Sequence, residues 1–159
     1  MTRRVLTLAM LLAMAALAHA GEPRVAAGLV VQVPDGWTVS EDGKLVSLVH
    51  PQGEVSLQLI QLSERDLARA QKRVFKDLPK SFQDIQWDGA ARKLSLNGMA
   101  AWSREASARL GKQAVRLGVL AVRTPKRRVV LVMAVSDAAR AAANTAVVAE
   151  LVGGLKPAK

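Results

Sequence analysis

The chain has 159 residues, no Cys and no Tyr, and carries 23 Lys and Arg against 13 Asp and Glu, a formal net charge of +10. The absence of Cys removes disulfides, thiol nucleophiles and thiolate metal ligands together. With three Trp and two Phe there are few rings on which bases could stack, which argues against single-stranded nucleic acid as a partner.

The chain opens MTRRVLTLAMLLAMAALAHA. Arg3 and Arg4 precede an apolar stretch over residues 5–17, and Ala18-His19-Ala20 is a small-x-small cleavage site. This order predicts a secretory signal peptide over residues 1–20. The apolar stretch is short of the roughly 20 residues a membrane span needs, and no Cys follows it to carry a lipid anchor. Cleavage after Ala20 lowers the charge by two, to +8, and leaves residues 21–159, enough for a single domain with a real core and no transmembrane span. The expected location is periplasmic or secreted. There a strongly positive field meets anionic lipid, lipopolysaccharide or an acidic protein surface rather than DNA or RNA. The plainer reading of the charge is solubility alone.

Residues 28–33 (GLVVQV) read as the first strand, ended by Pro34, which has no N–H for a ladder. Asp35-Gly36 supplies a turn, and Trp37 starts the return with its indole toward the core. Residues 44–50 and 54–62 are two further strands joined by Pro51-Gln52-Gly53, and in the second Val55, Leu57 and Leu59 share one face. The period then changes. Ser63 reads as an N-cap, Leu67, Val74 and Leu78 fall at helical spacing with Phe75 beside them, and Pro79 ends a helix predicted over 64–78.

Strands follow at 84–87 and 92–96, the latter meeting Asn97-Gly98, a tight-turn signal. Residues 100–110 and 113–123 form a long hairpin about Gly111-Lys112, with Arg104 near the middle of its first arm. Residues 128–135 (RVVLVMAV) are almost continuously apolar and predict a central strand covered on both faces. Ser136-Asp137 is expected to cap a terminal helix whose inner side carries Ala141, Asn144, Val147, Val148 and Leu151. Gly153-Gly154 is expected to end it, Leu155 to tuck back, and residues 156–159 to fray. Hairpins imply antiparallel pairing, so the predicted class is α+β: an antiparallel β-sheet of about six to eight strands packed against two α-helices.

Four features in this order resemble the PsbP-like family. They are the corner VPDGW (33–37), the hairpin HPQGEVSLQLI (50–60), the strand and turn KLSLNGMAAW (93–102), and the long hairpin, buried strand and terminal helix over 103–155. The family includes an extrinsic subunit of the photosystem II oxygen-evolving complex, a Ran-GTPase-binding protein and bacterial exported domains of the DcrB type. The resemblance covers nearly all of residues 21–159. It implies an antiparallel sheet with helices packed on it, and a non-enzymatic role in binding or assembly. It implies no ligand, because members use different surfaces, and this chain has no residue set to carry over as a site.

The residues themselves offer little catalytic chemistry. Beyond the signal segment the chain has one His, His50, next to Pro51 in a predicted turn. One His without Cys cannot build a zinc site, and no Gly-x-Ser-x-Gly elbow presents a serine to it. Glu41-Asp42 stands before Gly43 in a turn, and Asp84 and Asp88 flank Trp87 without forming a catalytic pair by spacing alone. No calcium loop or phosphate-cradling glycine motif occurs. No enzyme, catalytic residue, metal or cofactor is therefore expected.

The basic residues are the more informative polar feature. Arg65, Arg69, Lys72, Arg73, Lys76 and Lys80 recur at spacings of three and four on the first predicted helix, opposite its apolar side. Arg123, Lys126, Arg127 and Arg128 cluster at a turn. The expected function is an exported binding or assembly module that contacts an envelope protein. The alternative is a binder of anionic lipid or lipopolysaccharide through these two clusters. The plain reading of both is a solvated helix face and a charged turn that discourages aggregation.

Overall fold

The architecture follows from a strand with no polar face. In the computed structural model, which describes residues 21–159, every residue from Val129 to Ala134 is buried. The expected signal segment, residues 1–20, lies outside the described residues. The elements in chain order are β1 (Glu22–Ala26), β2 (Leu29–Val33), β3 (Thr38–Asp42), β4 (Leu45–Val49), β5 (Val55–Gln61), α1 (Leu67–Asp77), a 3-10 turn (Leu78–Lys80), β6 (Gln83–Trp87), β7 (Arg92–Leu96), β8 (Met99–Leu110), β9 (Gln113–Arg123), β10 (Val129–Asp137), α2 (Ala141–Gly153) and β11 (Lys156–Pro157).

Eight strands form one antiparallel sheet in the order β3-β4-β5-β10-β9-β8-β6, with β7 also paired to β8. The length of β8 lets it serve two partners on one edge: Met99 to Ser103 pair with β7, and Ala106 to Arg109 with β6. β10 lies between β5 and β9, matching the expected central strand. Alternation sends Val130, Val132 and Ala134 into one core with Leu57, Leu59, Leu120 and Val122. It sends Val129, Leu131 and Met133 into a second core with Leu117, Val119 and Trp102. α1 closes the second core with Ala70 and Val74, and the first is closed by α2 through Leu151 and by Leu29 and Val31 of β2.

The corner at Pro34 is structural, as expected. The Trp37 N–H donates to the Pro34 carbonyl at 3.2 Å, Gly36 takes φ +81°, and the indole packs half-buried on the first core. The same indole meets the His50 imidazole edge-on at 5.4 Å. A Cβ on Gly36 would lie 3.3 Å from Pro51 Cγ, so this corner and the β4–β5 turn fit against each other through the glycine.

Several boundaries differ from the sequence reading, each for a visible reason. α1 starts at Leu67 with Asp66 as N-cap, its carboxylate accepting the Arg69 N–H at 3.0 Å. The expected N-cap, Ser63, is engaged elsewhere: its hydroxyl accepts from Arg73 at 2.8 Å, beside Glu64. Ser136 and Asp137 do not cap α2. They stay in β10, whose ladder continues as Ser136 opposite both Val55 and Arg116, and α2 begins only at Ala141 without a side-chain cap. Gly154 does end α2 as expected, though in a right-handed conformation, φ −85°, rather than the left-handed one glycine often supplies there.

The terminus beyond α2 does not fray. Leu155 is fully buried, Lys156 and Pro157 pair with Val30 and Leu29, and the Ala158 N–H donates to the Gly28 carbonyl at 3.0 Å. This strand and β1 flank β2 in a three-stranded sheet that the sequence reading lacked. β1 contains Pro23, which an edge strand tolerates because it pairs on one side only.

Two tertiary anchors hold the helices. The Asn97-Gly98 turn has the expected positive φ angles, +48° and +81°. In addition, the Asn97 side-chain amide donates to the carbonyls of Gly153 (3.0 Å) and Leu155 (2.7 Å), satisfying the end of α2 from 56 and 58 residues away in the chain. At α1, Arg73 donates to Glu64 at 2.9 Å and lies 3.6 Å from Asp77, which also pairs with Lys80 at 2.7 Å. Burial pushes the Glu64 carboxyl up, but the hydrogen bond and charge of Arg73 outweigh it and hold the group below its ordinary value of 4.5. The hydrogen bond from Lys80 does the same for Asp77.

Two outcomes follow for stability. Asn97→Ala removes both donations to the end of α2 and is expected to cost about 1–3 kcal/mol in urea unfolding, with faster amide exchange at Ala158. Both Glu64 and Asp77 are depressed in the folded state, so their contribution is full above the unfolded values and is lost as pH falls through the folded ones. The urea midpoint should therefore drop as pH is lowered below 4.5. Glu64→Gln should cost about 1 kcal/mol or less at pH 7, a difference that shrinks in acid.

Candidate functional site

The cationic face of α1 is a direct product of its periodicity. Ala70 and Val74 are buried, Leu67, Gln71 and Phe75 are half-buried, and Arg69, Lys72, Arg73 and Lys76 all point to solvent. Arg65 stands exposed just before the helix and Lys80 just after it. These six basic residues divide into two groups. Arg73 and Lys80 are held by Glu64 and Asp77, and the Glu64 carboxylate, through its hydrogen bond and charge, raises the Arg73 pKa further. No carboxylate lies within ion-pair distance of Arg65, Arg69, Lys72 or Lys76 among the described residues. Arg65 and Arg69 also crowd the positive end of the helix dipole, where Asp66 is the compensating charge.

The second cluster, Arg123, Lys126, Arg127 and Arg128, surrounds the β9–β10 turn, and all four are exposed. The turn is tied by Thr124, whose N–H donates to the Arg128 carbonyl at 2.8 Å, and Arg127 takes φ +57°. Lys126 Nζ donates to the Lys159 carbonyl at 3.2 Å. The Leu62 N–H donates to the Val129 carbonyl at 2.9 Å, so the lead into α1 leaves beside the start of β10.

The carboxylates flagged in the sequence are taken up by structure. Glu41 and Asp42 end strand β3 rather than sitting in a turn. Asp84 pairs with Arg109 at 2.8 Å, while Asp88 pairs with Arg116, which also lies 3.4 Å from Glu105. The hydrogen bond from Arg116 holds the Asp88 carboxyl below its usual range, and the reciprocal bond raises Arg116. His50 serves its turn: its Nδ1 accepts the Gln52 N–H at 3.2 Å. Among the described residues no group of three or more His, Cys, Asp or Glu side chains could hold a metal ion.

Arg104 stands near the middle of β8. Its guanidinium lies 4.6 Å from the Trp87 ring centroid and 5.3 Å from that of Phe75, and its Nε donates to the Gly89 carbonyl at 2.8 Å. Phe75 in turn packs on Trp87 and Trp102, at 5.0 and 5.4 Å. Arg104 thus joins α1, β6 and β8 through cation–π contact. The available signal was its register: it alternates with Trp102 and Ala106 on the core face, where an unpaired charge needs an aromatic or polar partner.

No protein-family model matches the chain, and no curated protein matches it in sequence. Solved structures do. The chain is similar to the cyanobacterial PsbP protein CyanoP of Synechocystis sp. PCC 6803, with a TM-score of 0.65 and 11% identity over 87% of this chain and 94% of that one. It is similar to LpqN of Mycobacterium tuberculosis, a protein involved in cell envelope biogenesis, with a TM-score of 0.62 and 16% identity over 87% and 86% of the two chains. It is also similar to the Saccharomyces cerevisiae Ran-binding protein Mog1p, with a TM-score of 0.55 and 14% identity over 86% and 96%. Identities this low speak to the fold alone. The chain has the PsbP-like fold.

Proposed function

We propose that this protein is an exported, periplasmic, non-catalytic module that binds an envelope protein or helps to assemble one. The observation that carries the reading is the solvent face of α1. Arg65, Arg69, Lys72 and Lys76 are exposed without ion-pair partners among the described residues, on a helix whose opposite side packs against the second core through Val74 and Phe75 and whose Arg73 is bridged to Glu64 of its own lead-in. A rigid cationic face of this kind favours an acidic partner and speeds encounter with it. Two neighbours in fold support a binding role: Mog1p is a Ran-binding protein, and LpqN is involved in cell envelope biogenesis. No helix among the described residues is long and apolar enough to cross a membrane.

The alternative, anionic lipid or lipopolysaccharide, is favoured by one specific feature. The 123–128 turn carries four further exposed basic residues, a second cationic cluster that an anionic surface could engage. Such binding is screened strongly by salt, since the Debye length is about 8 Å at physiological ionic strength.

The test uses residues 21–159, immobilised and exposed to a cell-envelope extract, beside vesicles of phosphatidylglycerol or phosphatidylcholine. Arg69→Ala, Lys72→Ala and Lys76→Ala are combined, leaving Arg73 in place because it anchors the helix. The expected result is one envelope protein retained by the parent chain and lost from the triple variant at unchanged melting temperature. Retention of phosphatidylglycerol alone, lost both in the variant and at high salt, would select the lipid reading. Undiminished retention by the variant would remove the α1 face as the contact.

A further inference from the structure

α2 covers only part of its side of the sheet. It lies against β10, β5 and β2, and on that face Leu120, Val122 and Ala101 of β9 and β8 are buried while Gly118 and Ser103 are only half-buried and Glu105 is exposed. The result is a groove of about 630 Å³ between the helix and the sheet. Its floor is Gly118, Leu120 and Ala134, and its wall is the α2 side formed by Ala142, Thr145 and Val148. Sites that take small amphiphilic ligands have this size and this mainly apolar lining with a few polar groups at one end.

Gly118 is the informative residue. Glycine weakens the middle of a strand, and there it marks a place where another group approaches the backbone closely. Here neither steric crowding nor backbone conformation requires it. A Cβ would meet nothing nearer than Ala134 Cβ, at 3.7 Å, and Gly118 is not among the glycines with positive φ. The missing side chain keeps the groove open.

The charge at the groove's mouth limits the occupant. Arg116 lines it, but its guanidinium is already paired with Asp88 and Glu105. The three groups together carry a net charge of −1, in a protein that is otherwise strongly basic. An anionic head would therefore meet an answered guanidinium and the exposed Glu105 carboxylate. The lining follows α2 from Ala141 to Val152, roughly 16 Å at the helical rise, which suits an extended chain of about twelve carbons.

We propose that this groove binds the single alkyl or acyl chain of an amphiphile whose head is uncharged or zwitterionic, with the head at the Arg116–Glu105 end. This site is separate from the cationic face of α1, so the two can be tested independently.

The experiment titrates residues 21–159 with alkylphosphocholines of eight, ten and twelve carbons, each below its micelle concentration, by calorimetry. Affinity should rise about four-fold for each added CH2, as apolar burial requires. Gly118→Val raises the floor, and Ala142→Phe, at an exposed helix position, closes the wall. Each should weaken dodecylphosphocholine by about fifteen-fold, the equivalent of two excluded CH2 groups, while the melting temperature is kept. Dodecyl sulfate should bind the groove more weakly than dodecylphosphocholine. An affinity independent of chain length, or unchanged in both variants, overturns the proposal, and the groove then suits an apolar peptide segment. Dodecyl sulfate binding more tightly, and lost on changing Arg69, Lys72 and Lys76 rather than Gly118, also overturns it and moves the ligand to α1.

Discussion

Everything in this molecule is arranged about a strand that must be dry on both sides. β10 offers Val130, Val132 and Ala134 to one face and Val129, Leu131 and Met133 to the other, and neither face can meet water without losing the burial that drives folding. A single helix layer would leave half of it exposed. The chain instead builds two cores, one under α1 and one under α2, with the sheet as their common wall. Two helices are too few to roof a sheet this wide. The small sheet of β1, β2 and β11 supplies part of the missing cover on the α2 side. On the α1 side the stack of Phe75, Trp87, Trp102 and Arg104 does so.

The absence of Cys gives the chain ends particular weight. Without disulfides, terminal segments hold only as well as their hydrogen bonds and buried side chains allow. Here the first and last described strands, β1 and β11, flank the same strand, β2, and Leu155 fixes the C-terminal segment by filling the first core. Asn97 couples that end to the β7–β8 turn, so the close of α2, the last strand and a distant hairpin are held by one side chain.

The charges divide along the same lines. Arg73, Arg109, Arg116 and Arg140 find carboxylates because each stands beside an element that brings one near: the lead into α1, β6, the end of β6, and the start of β5. Arg69, Lys72 and Lys76 stand on the part of α1 farthest from the sheet, where no acidic element passes. With ten more basic than acidic residues, some cations must lack partners, and the fold decides which. Arg65, Arg69, Lys72 and Lys76 at α1 and the four basic residues of the 123–128 turn are among those without an ion-pair partner in the described residues, while the α2 groove has a slightly acidic mouth. One molecule thus presents two surfaces of opposite preference.

Periodicity alone determined the element types, the central place of β10, the turns at Pro34, Pro51 and Asn97-Gly98, and the inner faces of both helices. These are local or alternating patterns, set by where apolar side chains recur along the chain. What sequence could not decide depends on partners distant in the chain. Ser63 would cap a helix by its type, but Arg73, ten residues on, takes its hydroxyl, and the start moves to Asp66. Ser136 and Asp137 would cap α2, but two neighbouring strands extend β10 through them. Residues 156–159 look like a frayed tail until β2 offers an edge, and Ala27-Gly28 does not look like a hairpin turn until that same edge pairs with β1. The candidate surfaces divide in the same way. The basic stripe of α1 is legible because 3.6 residues per turn suffices to draw it. Which of its charges are unpaired, and that a groove opens over Gly118, depends on how widely two helices can cover eight strands.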